Sequence, residues 1–201
     1  MKETSLSQAP AYASQESLRV QRLVHLLDIF MLFLARQWLA IANLAAGLYV
    51  GLAALAPYLE HQGWREAARA IYLVYSFLCH QQPNRCFTIF GHQMAIRQRC
   101  VGIYAGFLAG GLLFGLLRAH LKPLPWRAYV VLNLPLVADS LIQLLGLWES
   151  TWYLRMVTGG GFGLSSVWLV YPYIQQGMTE VQETVPRPLG DGWKSDEGRT
   201  G

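Results

Sequence analysis

From its amino terminus the chain is polar to about residue 15, amphipathic from Ser17 to Arg36, and then dominated by apolar runs separated by short polar connectors. In the amphipathic stretch Arg19, Arg22, His25 and Asp28 recur at helical spacing opposite Leu23, Leu27, Phe30 and Leu34. That pattern predicts a helix lying in a membrane interface. Four apolar runs follow, near residues 38–58, 100–117, 128–147 and 153–175. Each approaches the roughly 20 residues a helix needs to cross a hydrocarbon core about 30 Å thick. Trp38 and Tyr58 flank the first run, at the depth amphipathic rings favour, and Pro57 is placed to end it.

Residues 66–82 carry a shorter apolar core, from Ala70 to Cys79, that covers about half the membrane. A half-helix or re-entrant segment is predicted there. The predicted fold class is all-α: a polytopic transmembrane helix bundle of about four spans, plus the amphipathic N-terminal helix and the half-helix. Residues 16–177 form a single membrane domain between disordered polar tails at 1–15 and 178–201, which hold too little apolar surface to offset the entropy of ordering.

Composition supports the same reading. Hydrophobic residues make up 53% of the chain and charged residues 14%, against about 25% charged in soluble proteins. The net charge of +4 raises nucleic acid as a partner, but Lys and Arg are scattered at helix ends rather than gathered on one stripe, so nucleic acid is set aside and the lipid bilayer is the predicted partner. No cleavable leader is read, since the first residues are polar and the apolar part runs on into a span. In a four-span arrangement the N-terminus, the Arg118 to Arg127 connector and the C-terminus share a face rich in basic residues, which places the N-terminus in the cytoplasm.

Within the second full span Gly102, Gly106 and Gly110 recur every four residues, and Gly159 and Gly163 repeat the spacing in the last one. Small residues so placed let another helix approach closely. They predict packing faces, open to helices of this chain, to a membrane-protein partner or to a second copy. The Thr158 to Gly163 run follows no strand, so a phosphate-cradling loop is not read from it.

Polar residues inside the apolar runs mark the candidate site. Asp139 lies eight residues before Leu147, about 12 Å along a helix, where a carboxylate needs a partner, a proton or water. Gln143 lies one turn further on the same face, and Arg155 enters the last span from the same side, so an Asp139–Arg155 pair bridged by Gln143 is predicted. The Cys79–Cys100 loop and the Trp148–Thr151 connector are separated by two spans and therefore share a membrane side. Cys79, His80, Gln81, Arg97, Arg99 and Cys100 thus converge with Asp139, Gln143 and Arg155 on one polar site.

Thiolate and imidazole suit Zn, Cu or Fe, which makes Cys79, His80 and Cys100 the candidate metal ligands, with Cys86 and His92 as further donors. Structural thiols and thiol redox chemistry are the competing readings, and three cysteines exclude a fully disulfide-paired monomer. His25, His61 and His120 sit near predicted helix ends and read as interfacial.

Two separated groups of residues resemble one family. Cys79-His80-Gln81, Pro83, Arg85, Gly91 and Arg99-Cys100-Val101-Gly102-Ile103-Tyr104 with Gly106 form the first. Pro135, Asp139, Gln143, Gly146, Ser150, Arg155, Thr158 and Gly159 form the second. Together, over about residues 70–165, they are similar to the prokaryotic predicted membrane proteins of domain of unknown function 2085. The resemblance implies a prokaryotic inner (plasma) membrane protein and brings no activity with it. The family pattern Cys-x-Arg-Cys is here Arg97-Gln98-Arg99-Cys100, which removes a CxxC dithiol; Cys86 stands where the family has Ser, and Ser140 where it has Gly.

No stretch spells out a reaction. The leading reading is an accessory or structural membrane subunit with one polar Cys/His/Arg/Asp site at one membrane face. The alternatives are a membrane-embedded metal or thiol redox protein, and a small transporter or channel using Asp139, Gln143 and Arg155.

Overall fold

The computed structural model describes residues 11–117 and 121–185. It contains α1 (Ala11–His61), α2 (Arg65–Ser76), a single 3-10 turn (Pro83–Arg85), β1 (Cys86–Ile89), β2 (His92–Arg97), α3 (Gln98–Leu117), α4 (Trp126–Leu144) and α5 (Trp152–Thr184). The described residues divide into two compact units, one within Trp38–Gln176 and a terminal unit of the described residues up to Gln37 with those from Gly177 on. In the terminal unit the Gln182 side-chain amide donates to the Ala35 carbonyl at 2.7 Å.

Several expectations change. The interfacial helix and the first span are one uninterrupted helix, because nothing between Arg36 and Trp38 breaks the hydrogen-bond ladder. Pro57 does not end it; the helix continues to His61 with Pro57 fully buried inside. Residues 11–15 and 178–184, predicted as tail, are helical, while 1–10 and 186–201 lie outside the described residues. Helix α2 has 12 residues, about 18 Å of rise, which is too short to cross a 30 Å core. Among the described residues, two helices are long and apolar enough to cross a membrane, Arg19–His61 and Gln98–Leu117. The polar residues inside α4 and α5, Asp139 and Arg155 among them, lower the apolarity of those two helices.

The fold is also not purely helical. Between Cys79 and α3 the chain forms an antiparallel hairpin, with Thr88 opposite Gln93 and Ile89 opposite His92. Phe90 and Gly91 make its two-residue turn with φ of 52° and 80°, the backbone that hairpin turns of matching twist require. A register shift between Cys86 and Thr88 bends the strand.

The glycine stripe closes α3 onto α5. A Cβ at Gly102 would lie 2.5 Å from the Met156 carbonyl oxygen, and one at Gly159 would lie 2.6 Å from that of Arg99. At Gly106 and Gly163 it would run into the backbone of Gly160 and of Ile103. Only glycine lets the two backbones come this close. Gly102, Gly106, Gly159 and Gly163 are therefore used within the chain, between α3 and α5.

Helix α1 packs beside α3, where the Tyr49 and Tyr104 rings stack at 3.9 Å. Ala53, Ala56, Tyr75, Cys79, Met94, Ala95 and Ile96 form the apolar cluster that seats α2 and the hairpin against α1. Asn133 of α4 donates to Ser165 of α5 at 3.0 Å. Helix α4 ends at Leu144, with Gly146 at φ +69° while the Leu147 and Gly146 amides return to the Ile142 and Gln143 carbonyls. That glycine-dependent stop turns the chain back toward α5.

Candidate functional site

The start of α3, the end of α4, the start of α5 and the hairpin meet at one end of the main unit. Arg99, in the first turn of α3, forms an ion pair with Asp139 of α4 and donates to the Ser140 hydroxyl at 2.6 Å. The Gln143 amide donates to the same Asp139 carboxylate at 2.9 Å, one helical turn along. Arg155 does not take this place. It is buried at 8% exposure and donates to the Gln98 side-chain oxygen at 3.1 Å. Gln98 in turn donates to the Cys86 carbonyl at 3.3 Å, which ties α5 through α3 to the hairpin. The predicted Asp139–Arg155 pair is thus corrected to Asp139–Arg99: Arg99 and Asp139 face each other across α3 and α4, and Gln98 occupies Arg155. Helix α4 also stops earlier than expected, so Asp139 lies five residues, about 7.5 Å, from its end.

A cavity of about 170 Å³ opens among these groups. Arg85, Arg97, Arg99 and Arg155 line it, with Gln143, Cys100 and the Ile103 side chain. By the measure that a water needs about 10–15 Å³, it has room for on the order of ten waters. The Nε atoms of Arg99 and Arg155 are buried without a hydrogen-bond partner.

Cys79 lies behind the Arg97 wall, its sulfur 4.0 Å from that of Cys100 and 3.4 Å from the Arg97 backbone nitrogen, which donates to it. Burial pushes the Cys79 thiol up, but the amides of Gln81 and Arg97 and the Arg97 guanidinium outweigh it, and the net shift is downward. Burial acts to lower the Arg97 pKa, yet its contact with Cys79 prevails and the pKa rises. Cys86, mainly through burial, is held above the ordinary thiol value. Gln81 is structural: its amide donates to the Tyr72 carbonyl at 2.8 Å and its carbonyl accepts from the Gln93 amide at 2.8 Å, fixing the turn out of α2.

The structure therefore gathers Arg97, Arg99, Cys100, Asp139, Gln143 and Arg155, with Cys79 adjoining. His80 is exposed and outside the group. The ligand set Cys79, His80 and Cys100 is not assembled, and among the described residues no three His, Cys, Asp or Glu side chains are placed to share an ion. The physical reason is that, three residues beyond the end of α2, Cys79 turns inward and is buried while its neighbour His80 faces solvent. Three site residues were missed from sequence: Arg85, Gln98 and Ser140. Arg85 was legible only as part of the family motif, and Gln98 only as a glutamine between two arginines.

The family model described as predicted membrane protein (DUF2085) matches residues 79–169, which contain the hairpin and every residue that lines the cavity. An uncharacterized protein of Methanocaldococcus jannaschii is 39% identical over 126 residues, covering 59% of this chain and 80% of the relative. An uncharacterized protein of Methanothermobacter thermautotrophicus is 35% identical over 98 residues, covering 45% of this chain and 84% of the relative. No solved structure matches the chain.

Proposed function

We propose, since the chain belongs to the family of predicted membrane proteins (DUF2085), that it is a four-span membrane protein that works as a binding protein, with one polar site open to a single membrane face. In this reading α1, α3, α4 and α5 cross the bilayer, and α2 with the hairpin covers one end of the bundle. The basic connector between α3 and α4 sets the opposite face in the cytoplasm, so the site faces outward.

The observation that carries this reading is the cavity itself, lined from the hairpin, α3, α4 and α5 at once by charged and hydrogen-bonding side chains. Charged groups near lipid mark a site by default, because leaving them there without a ligand or water is costly. Asp139, buried at this end of the bundle, is held by Arg99 and Gln143, which commits it to fixing the walls.

A second reading, an accessory subunit whose polar residues only lock helices, is favoured by the network from Asp139 through Arg99 and from Arg155 through Gln98 to the hairpin. Thiol labelling separates the two. In a chain with Cys79→Ser and Cys86→Ser, Cys100 is the sole thiol and lines the cavity. In sealed, sided vesicles a small membrane-impermeant thiosulfonate is expected to modify it from one side only. Modification from neither side until the membrane is dissolved would leave the locked-network reading standing alone.

A further inference from the structure

The charges around the cavity define what it can hold. Arg85 comes from the 3-10 turn, Arg97 from β2, Arg99 from α3 and Arg155 from α5. Among the described residues only Arg99 of these four has a carboxylate within ion-pair distance. Among the described residues, three guanidinium groups thus line one small space with no carboxylate within ion-pair distance, the Cys79 thiol lying beside Arg97. Arg155 is more than nine-tenths buried, and its Nε has no partner. Like charges held together away from water repel strongly, and a buried charge needs compensation.

Helices α3 and α5 both begin here, at Gln98 and Trp152, so the positive ends of two helix dipoles add to the same potential. The cavity is therefore built for an anion. Guanidinium forks suit ligands with paired oxygen acceptors. Forks arriving from three different elements suit a tetrahedral group better than a planar carboxylate. The Gln143 amide supplies a further neutral donor.

We propose that this cavity binds a phosphate group, carried either by free phosphate or by the headgroup of an anionic phospholipid, with Arg85, Arg97 and Arg155 as its charged ligands. The inference rests on the reading of the cavity as a binding site and names the ligand class. Arg99 stays with Asp139 and shapes the wall.

The test uses the purified full chain. One arm measures equilibrium binding of radiolabelled inorganic phosphate in mild detergent, against chloride at matched ionic strength. The other compares retention of phosphatidylglycerol with that of phosphatidylcholine in lipid nanodiscs by native mass spectrometry. One equivalent of at least one phosphate-bearing probe is expected to bind. Retained phosphatidylglycerol without inorganic phosphate binding identifies the source as a headgroup; inorganic phosphate binding identifies a soluble ligand.

Arg85→Gln decides whether the bound probe is in this cavity. Among the described residues Arg85 has no hydrogen bond or ion pair to another side chain, and its charge bears unfavourably on Arg155. The variant is thus expected to fold with an undiminished melting temperature while losing about tenfold or more in affinity, the usual loss for one charged hydrogen bond. Arg155→Gln should lose more, but it also breaks the bond to Gln98. Binding of neither probe, or binding indifferent to Arg85→Gln, overturns the proposal. If Cys100 is still labelled from one side in that case, only the ligand class has failed; if it is not, the binding-site reading has failed as well.

Discussion

Arg99 and Asp139 show how a single contact decides the character of this end of the molecule. Asp139 is 7% exposed and Arg99 23%, so their charges are shielded from bulk water and interact strongly. Replacing Asp139 with Asn leaves Arg99 uncompensated beside three other guanidinium groups. Breaking a buried pair from one side costs about 3–5 kcal/mol, and the partial exposure of Arg99 argues for the lower end, about 3 kcal/mol. Replacing both partners, as in Arg99→Met with Asp139→Leu, is expected to recover most of that loss. Thermal unfolding in detergent measures both, and equal destabilisation by the single and double variants would overturn the assignment. From sequence the need of Asp139 for a partner was legible, because an intramembrane carboxylate is costly without a partner, a proton or water. Its identity was not: Arg155 was close along the chain, whereas Arg99 is 40 positions away.

At the scale of elements, the contact between α3 and α5 was the most legible feature. Glycines every four residues lie on one helix face whatever the rest of the chain does. Gly106→Ala would drive a methyl group into the Gly160 backbone, which cannot turn aside as a side chain can. A loss of about 1–3 kcal/mol is expected. Gly161→Ala, where nothing lies within 4 Å, should be neutral or slightly stabilising, since alanine is the better helix former. Unfolding midpoints of the two variants measured side by side give the comparison. The hairpin was not legible. Its strands, Cys86–Ile89 and His92–Arg97, show no alternation of apolar and polar residues, because Met94, Ala95 and Ile96 are all buried in succession. Nor did any signal mark a break in α1 at Arg36, and the structure has none; a change in hydrophobic pattern along a helix is not a change in backbone.

For the whole molecule, the four-span reading makes a labelling prediction. In a cysteine-free background, Asn84→Cys and Glu149→Cys, both at exposed positions beside the arginine-lined end, are expected to react from the same side of sealed vesicles. Lys122→Cys, exposed between α3 and α4, is expected to react from the opposite side. Glu149→Cys and Lys122→Cys reacting from one side would mean that α4 does not cross. The scarcity of charge, the apolar runs, the glycine stripe and the family motifs were fixed by sequence alone, because each depends on residues close together along the chain or on composition summed over it. The partner of Asp139, the hairpin wall and the cavity with its four arginines were decided only by the tertiary structure. An arginine in a sequence is equally consistent with a solvated helix end or a ligand, and it becomes one or the other only when packing brings distant guanidinium groups together and sets how many carboxylates come with them.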